Sequence, residues 1–121
     1  MSWNGEMTCN VYNQTGGTIT GLLVTHTWDD IPSGTSVSVL DDGASVAFGF
    51  ETGSGATDYW TVRFTDAAGA CWYRTAKQCG VEQEDFDSAK SVVINLLPGS
   101  QGFSIEMPIS DSCLDNYYDQ C

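Results

Sequence analysis

The sequence predicts an all-β protein, a single antiparallel β-sandwich of about seven to nine strands covering residues 1–121. Apolar residues alternate with polar ones over several short stretches, which is the period of a strand. Turn residues separate these stretches roughly every 8 to 12 positions. No long helical pattern is available to join parallel strands, so an antiparallel arrangement is favoured. The length of 121 residues is near that of one domain.

The first two predicted strands lie on either side of a glycine-containing turn. In the first strand, Met7, Cys9 and Val11 alternate with polar residues, and NQTGGT then predicts a turn. The next strand covers residues 18–28. One face of that strand carries Leu22, Val24, His26 and Trp28. DDIPSG, Asp29–Gly34, predicts a loop from its Asp, Pro and Gly content.

The middle of the chain predicts the core. DDG, Asp41–Gly43, favours a hairpin turn between the strands TSVSVL and ASVAFGF. A flexible GSGA turn then leads into the strand DYWTVRF. The residues that share the inward face of the last two strands are the best core candidates: Val46, Phe48, Phe50, Trp60, Val62 and Phe64.

The second half alternates less regularly. DAAGA predicts a turn into a strand at CWYRT, and the pattern then fades from Ala76 to Lys90, which predicts irregular structure with one helical turn at most. SVVINLL and GFSIEM predict two further strands joined by a PGSQG turn.

Charge limits the partners. Sixteen acidic residues against four basic ones give a net charge of −12. An anionic surface repels phosphate backbones, so we expect no nucleic-acid partner. No run of 18 apolar residues occurs, so we expect no membrane insertion. A protein receptor or a glycan, each of unknown identity, remains as the expected partner.

Five cysteines favour an extracellular, oxidising destination, although residues 1–9 lack the pattern of a secretory signal, so the compartment stays open. Equal spacing suggests two local disulfides, Cys71–Cys79 and Cys113–Cys121, with Cys9 as a free thiol. Five choices of free cysteine times three pairings give fifteen arrangements, so spacing does not settle the connectivity.

No pattern predicts catalysis, a cofactor or a bound metal. His26 is the only histidine, and we expect it to be a hydrogen-bonded strand residue at the sheet surface. A serine triad would need a presented serine, but no G-x-S-x-G motif occurs. Carboxylates that are adjacent on turns point apart, whereas glycosidases need two that converge. Loop carboxylates suit calcium, but EQEDFDS lacks the order of a calcium loop.

A recognition surface is the remaining lead. Aromatic side chains supply a large contact area at little conformational cost. If the stretch FETGSGATDYWTVRF touches a partner, we expect the contact at the loop mouth, through Glu51, Asp58 and Tyr59. Asn13-Gln14-Thr15 is also a glycosylation sequon in a predicted turn.

Four short motifs carry a family resemblance: Asn13 with Thr15, His26, Phe50–Gly53, and Asp58–Phe64. Over residues 9–75 the chain resembles the small β-domain called "up-regulated in daf", found in nematodes and many fungi. That resemblance implies a non-enzymatic domain. In size and fungal character the chain is also similar to a sweet-tasting truffle protein, which implies a surface patch that contacts a taste receptor. The alternatives at this point are receptor binding, sweet taste, and a lectin or calcium-assisted carbohydrate binder.

Overall fold

A computed structural model of the chain describes residues 2–98, 101–117 and 119–121. The elements follow the chain as β1 (Asn4–Asn13), β2 (Ile19–Trp28), β3 (Ile31–Leu40), β4 (Ser45–Gly53), β5 (Tyr59–Thr65), β6 (Cys71–Gln78), α1 (Gln83–Ser88), β7 (Ser91–Leu96), β8 (Phe103–Glu106), β9 (Cys113–Asp115) and β10 (Asp119–Gln120). The predicted all-β class is confirmed. The described residues form ten strands, more than the predicted seven to nine, because β9 and β10 lie where only a tail was expected.

The strands form two five-stranded sheets. Sheet A has the order β4-β1-β7-β8-β9, and sheet B has the order β10-β6-β5-β2-β3. Among the described strands, one neighbouring pair is parallel, β1 with β7, in which Cys9 lies opposite Val92. These strands can run parallel without a crossover helix because the chain passes through the strands of sheet B between them.

The core lies between the sheets. Of the six predicted core residues, five are buried and Val46 is half-buried at the margin of the cluster. Phe50 of β4 meets Trp60 of β5 edge-on across the core, with ring centroids 5.2 Å apart. Burying one such side chain contributes about 1.5 to 3 kcal/mol to folding, so the sheets are joined mainly by this apolar layer.

The predicted loop at Asp29–Gly34 is wrong. Asp29 and Asp30 alone make the turn, with φ of 49° and 60°, and β3 begins at Ile31. Positive φ at both central residues is the geometry of a two-residue hairpin turn, and Asp tolerates it better than most residues. Pro32 is accommodated because β3 is the edge of its sheet.

The predicted hairpin at Asp41–Gly43 is also wrong, because β3 and β4 belong to different sheets. Asn13 of β1 explains the crossing. Its side-chain amide nitrogen donates to the carbonyls of Leu40 and Asp41, at 2.9 and 3.1 Å. Its backbone carbonyl accepts from the nitrogen of Gly43 at 2.8 Å. The turn is therefore held against sheet A rather than folding back in sheet B.

The four cysteines predicted to form disulfides are paired differently from the local guess. Cys71 is joined to Cys121 and Cys79 to Cys113. Cys71 begins β6 and Cys79 follows its last residue, so an extended strand separates the two. Cys113 lies on β9 of sheet A, whereas the backbone of Cys121 bonds to Cys71 in sheet B. Cys9 is free and buried, and burial raises the pKa of its thiol.

Helix α1 lies where irregular structure with one helical turn was predicted. Asp85 accepts hydrogen bonds from the backbone nitrogens of Glu82, Ile109 and Ser110, at 2.9, 2.9 and 2.8 Å. Its carboxylate therefore caps the helix and ties it to the segment after β8. No helix of the described residues is long and apolar enough to cross a membrane.

Replacing Asp85 by asparagine is expected to lower the free energy of unfolding at pH 7 by about 2 kcal/mol. Burial would raise the pKa of Asp85, but the hydrogen bonds from Ser110 and the neighbouring backbone hold it below its usual value. A depressed pKa stabilises the fold above the unfolded-state value of about 3.9, and this contribution is lost as the pH falls through the folded pKa. The difference in the free energy of unfolding between wild type and Asp85→Asn should therefore become smaller at acidic pH.

Urea unfolding at pH 7 and below pH 3 measures this effect. Asp87→Asn, on an exposed residue of the same helix, is the matched control and should change little at either pH. A difference for Asp85→Asn that stays constant across the pH range would contradict the assignment.

Candidate functional site

The outer face of sheet B carries a regular array of exposed and half-buried side chains. Strands β2 and β5 bring three cross-strand pairs together there: Leu23 with Arg63, Thr25 with Thr61, and Thr27 with Tyr59. We call these six residues the threonine face. Leu23 is 39% exposed and Tyr59 is 41% exposed, so both apolar bodies are available for contact.

The threonine face results from the alternation of inward and outward side chains along β2 and β5. The residues between its members point inward, and Val24, His26, Trp60 and Val62 are buried in the core. The threonines suit this position because their branched side chains pack well on a pleated surface. Since the inward residues fix the strands, the outward residues are held in a constant geometry.

A strand irregularity shapes one end of the threonine face. The register between β2 and β5 shifts between Thr20 and Leu23, and Gly21 in this interval has a φ of 59°. A shallow depression lies there, lined in part by Leu23 and Arg63. Glycine fits this position because other residues rarely adopt positive φ.

Arg63 is the only charged residue of the threonine face. Arg74 and Lys77, on β6, instead approach Asp115, with nitrogen to oxygen distances of 2.5 and 3.7 Å. Asp115 belongs to β9 of sheet A, so this ion-pair cluster joins the two sheets. None of the acidic residues that give the chain its net charge of −12 belongs to the threonine face.

Asp58 lies beneath the loop that leads into the threonine face, and it is 1% exposed. One carboxylate oxygen lies 2.6 Å from His26 Nε2 and accepts from the Thr52 hydroxyl at 2.7 Å. The other oxygen accepts from the backbone nitrogen of Val81 at 2.9 Å. A single carboxylate therefore connects β2, the end of β4 and the segment after β6.

His26 was expected at the sheet surface, and this expectation is wrong. The ring is fully buried between Phe50 and Trp60, each with its centroid 4.4 Å from that of the imidazole. Its Nδ1 has no hydrogen-bond partner. Residues on the inward face of a strand are normally apolar, and this histidine is accommodated there because Asp58 binds its other nitrogen. Neither side chain reaches solvent, so the pair cannot meet a substrate in this conformation.

The predicted loop-mouth patch does not form one surface. Glu51 projects from the outer side of β4 in sheet A, whereas Tyr59 lies on the outer side of β5 in sheet B. Asp58 is buried between the sheets, so its expected exposure is wrong. Of the three residues, Tyr59 alone belongs to the candidate site.

Acidic residues occupy turns and the helix. Asp29 and Asp30 form the β2–β3 turn, and Asp41 with Asp42 begins the β3–β4 connection. In the part of the chain that the structure describes, no three His, Cys, Asp or Glu side chains are grouped so as to hold a metal ion.

Sequence reasoning missed the threonine face because the pairing of β2 with β5 is not a local property. A signal was present: Thr25 and Thr27 alternate with inward residues in LLVTHTW, and Thr61 lies between inward residues in YWTVRF. The register that brings Thr25 opposite Thr61 becomes evident only in the folded sheet.

Comparison with known proteins bears on the fold. No family model matches the chain, and no curated protein matches it. A similar solved structure is the NMR structure of a protein from Eubacterium rectale, with a TM-score of 0.51 and 16% identity, covering 88% of this chain and 91% of that chain. At this identity the likeness concerns the fold alone. The resemblance to "up-regulated in daf" domains stays a prediction.

Proposed function

We propose that the protein acts by surface recognition rather than catalysis, and that it binds a protein receptor through the threonine face. The observation that carries the proposal is the composition of this face. It has one charged residue, Arg63, on a chain whose net charge is −12. Centres of protein interfaces are depleted in acidic residues and enriched in aromatic residues and arginine.

The shape of the face supports the same partner. Its six side chains stand on two adjacent strands that are fixed by a buried core. A rigid surface loses little conformational entropy when it binds. Leu23 and Tyr59 supply exposed apolar area at opposite ends of the array, and Arg63 supplies a donor for a carboxylate or carbonyl of the receptor.

The similarity to a sweet-tasting protein names a first receptor to test. Cells that express a sweet-taste receptor, exposed to the purified protein, are expected to give a calcium response. Replacing Leu23 and Tyr59 together by alanine should raise the half-maximal concentration by about tenfold or more, because a few interface residues, often aromatic, contribute most of the binding energy.

The matched control is Tyr12→Ala combined with Leu114→Ala. These residues lie on sheet A, where Leu114 is 70% exposed, and their replacement should leave the response unchanged. Silent cells at high micromolar protein would exclude a taste receptor as the partner. Equal losses for both double variants would contradict the assignment of the binding face.

Carbohydrate binding is the second candidate, favoured by one observation. Tyr59 lines a shallow depression together with Asp29, Asp30 and Thr57, and an aromatic ring beside carboxylates suits a sugar. A glycan array probed with wild type and Tyr59→Ala separates the candidates, since a lectin would give signals that the variant loses. A blank array would count against carbohydrate binding.

A further inference from the structure

The two sides of the sandwich differ in how their edges are closed. On one side, sheets A and B end in the short strands β9 and β10. Cys79–Cys113 and the approach of Arg74 to Asp115 join the sheets there. On the other side the edges are β3 and β4, of ten and nine residues. Natural sheets usually shorten, charge or cover such edges, because unpaired backbone groups recruit other strands.

Strand β3 is neither short nor charged. Residues 31–40 contain no charged side chain. Apart from the pairing with β2, the described hydrogen bonds reach β3 only at its last residue, where the Leu40 carbonyl accepts from Asn13. From Pro32 to Ser38 the described hydrogen bonds of β3 are therefore those to β2, and β4 of sheet A lies near the strand without pairing with it.

The register defines which backbone groups point outward. Trp28 and Ile31 flank the two-residue turn and pair with each other, so they form a hydrogen-bonded pair. Antiparallel pairing alternates, and every second residue of β3 after Ile31 therefore also bonds to β2. The residues between them present their backbone groups to the outside: Pro32, Gly34, Ser36 and Ser38. The position of Pro32, which has no N–H to offer, agrees with this register.

The charges at the two ends of β3 favour one kind of segment as the partner of its edge. Asp29 and Asp30 precede β3, Asp41 and Asp42 follow it, and all four are exposed. A second copy of β3, laid antiparallel against the first, would bring acidic pairs together at both ends. An extended segment with an uncharged middle and basic residues at its ends would instead place opposite charges there.

We propose that the outward edge of β3 binds an extended, basic-flanked peptide segment by strand addition. The backbone groups of Gly34, Ser36 and Ser38 would form the ladder, and the two aspartate pairs would contact the basic ends. The site uses the edge of sheet B and not its face, so it would stand even if the threonine face bound nothing.

The probe is a fluorescent peptide of alternating threonine and valine with two lysines at each end. In fluorescence anisotropy at low salt it should bind about tenfold more tightly than the same peptide with glutamates at the ends, and this preference should shrink in about 0.5 M salt. On binding, hydrogen exchange at the amides of Gly34, Ser36 and Ser38 should slow.

Two variants test the edge and the charges separately. Ser36→Pro removes one outward N–H and should abolish binding, whereas Ser36→Ala keeps the N–H and should bind as wild type does. Changing Asp29, Asp30, Asp41 and Asp42 to asparagine should remove the preference between the two peptides. This change preserves the β2–β3 turn, because asparagine also tolerates positive φ, so it decides the matter if Ser36→Pro does not fold.

Three outcomes would overturn the proposal. They are equal binding of the two peptides by wild type at low salt, slowed exchange confined to β4, and self-association of the protein through β3 without peptide binding. Sedimentation velocity over a range of protein concentrations detects the last of these.

Discussion

Asp58→Ala is expected to lower the free energy of unfolding by about 3 to 5 kcal/mol, the range for removing one partner of a buried polar pair. Three donors lose their acceptor at once: the imidazole of His26, the hydroxyl of Thr52 and the backbone nitrogen of Val81. Each buried group left without a partner costs about 1 to 3 kcal/mol, and water cannot reach this site to replace the carboxylate. Urea unfolding followed by tryptophan fluorescence measures the loss.

Asp58→Asn and Thr57→Ala are the controls. The amide oxygen of asparagine can still accept from Thr52, so the Asn variant should fall between wild type and Asp58→Ala. Thr57 is the neighbouring residue and makes no described hydrogen bond, so its truncation should change the free energy of unfolding by well under 1 kcal/mol. If Asp58→Ala were no less stable than Thr57→Ala, the network would contribute nothing to the fold.

Removing the Cys79–Cys113 disulfide by replacing both cysteines with alanine should destabilise the protein to a similar extent. The bridge closes a separation of 34 residues, for which loop-closure entropy gives about 4 kcal/mol. In a domain of this size that corresponds to a fall in melting temperature of roughly 10 to 20 °C. Differential scanning calorimetry of the double variant gives the value directly.

The Cys71–Cys121 disulfide is the matched comparison. It closes a longer separation, 50 residues, but it joins Cys121 to β6 within one sheet, next to the two-residue edge strand β10. Without it this short edge strand can detach while the core stays folded, so the melting temperature should fall less. Reduction of both bridges should lower the melting temperature at least as far as loss of Cys79–Cys113. Identical melts with and without reductant would refute the stabilising role of both.

Much of the fold could be predicted because strand alternation is a local property. Trp60, Val62 and Phe64 face inward whichever strand lies beside them, since side chains alternate across a strand. The partner of each strand is not local. Nothing near Asp41–Gly43 indicates that the chain changes sheets there, because the residue responsible is Asn13, far away in the sequence. Sequence reasoning therefore proposed a hairpin.

The candidate site, the polar contacts beneath it and the disulfides were harder to predict than the core, for related reasons. Asp58 precedes a strand, where acidic residues are common in exposed turns, and its burial depends on donors from three separate segments. The predicted disulfide pairing was wrong for a similar reason, since a spacing of seven intervening residues in both predicted pairs is compatible with every pairing. Tyr59 was predicted correctly as outward-facing because parity alone decides it.

The buried amide of Asn13 has a practical consequence for producing the protein. Its nitrogen donates to Gly17, Leu40 and Asp41, the same atom that an oligosaccharide would occupy if the Asn13-Gln14-Thr15 sequon were modified. An attached sugar chain is incompatible with these contacts, so modification before folding would compete directly with closure of the β3–β4 connection. Bacterial expression, or a Thr15→Val change that removes the sequon, avoids this competition, and a secreting eukaryotic host introduces it.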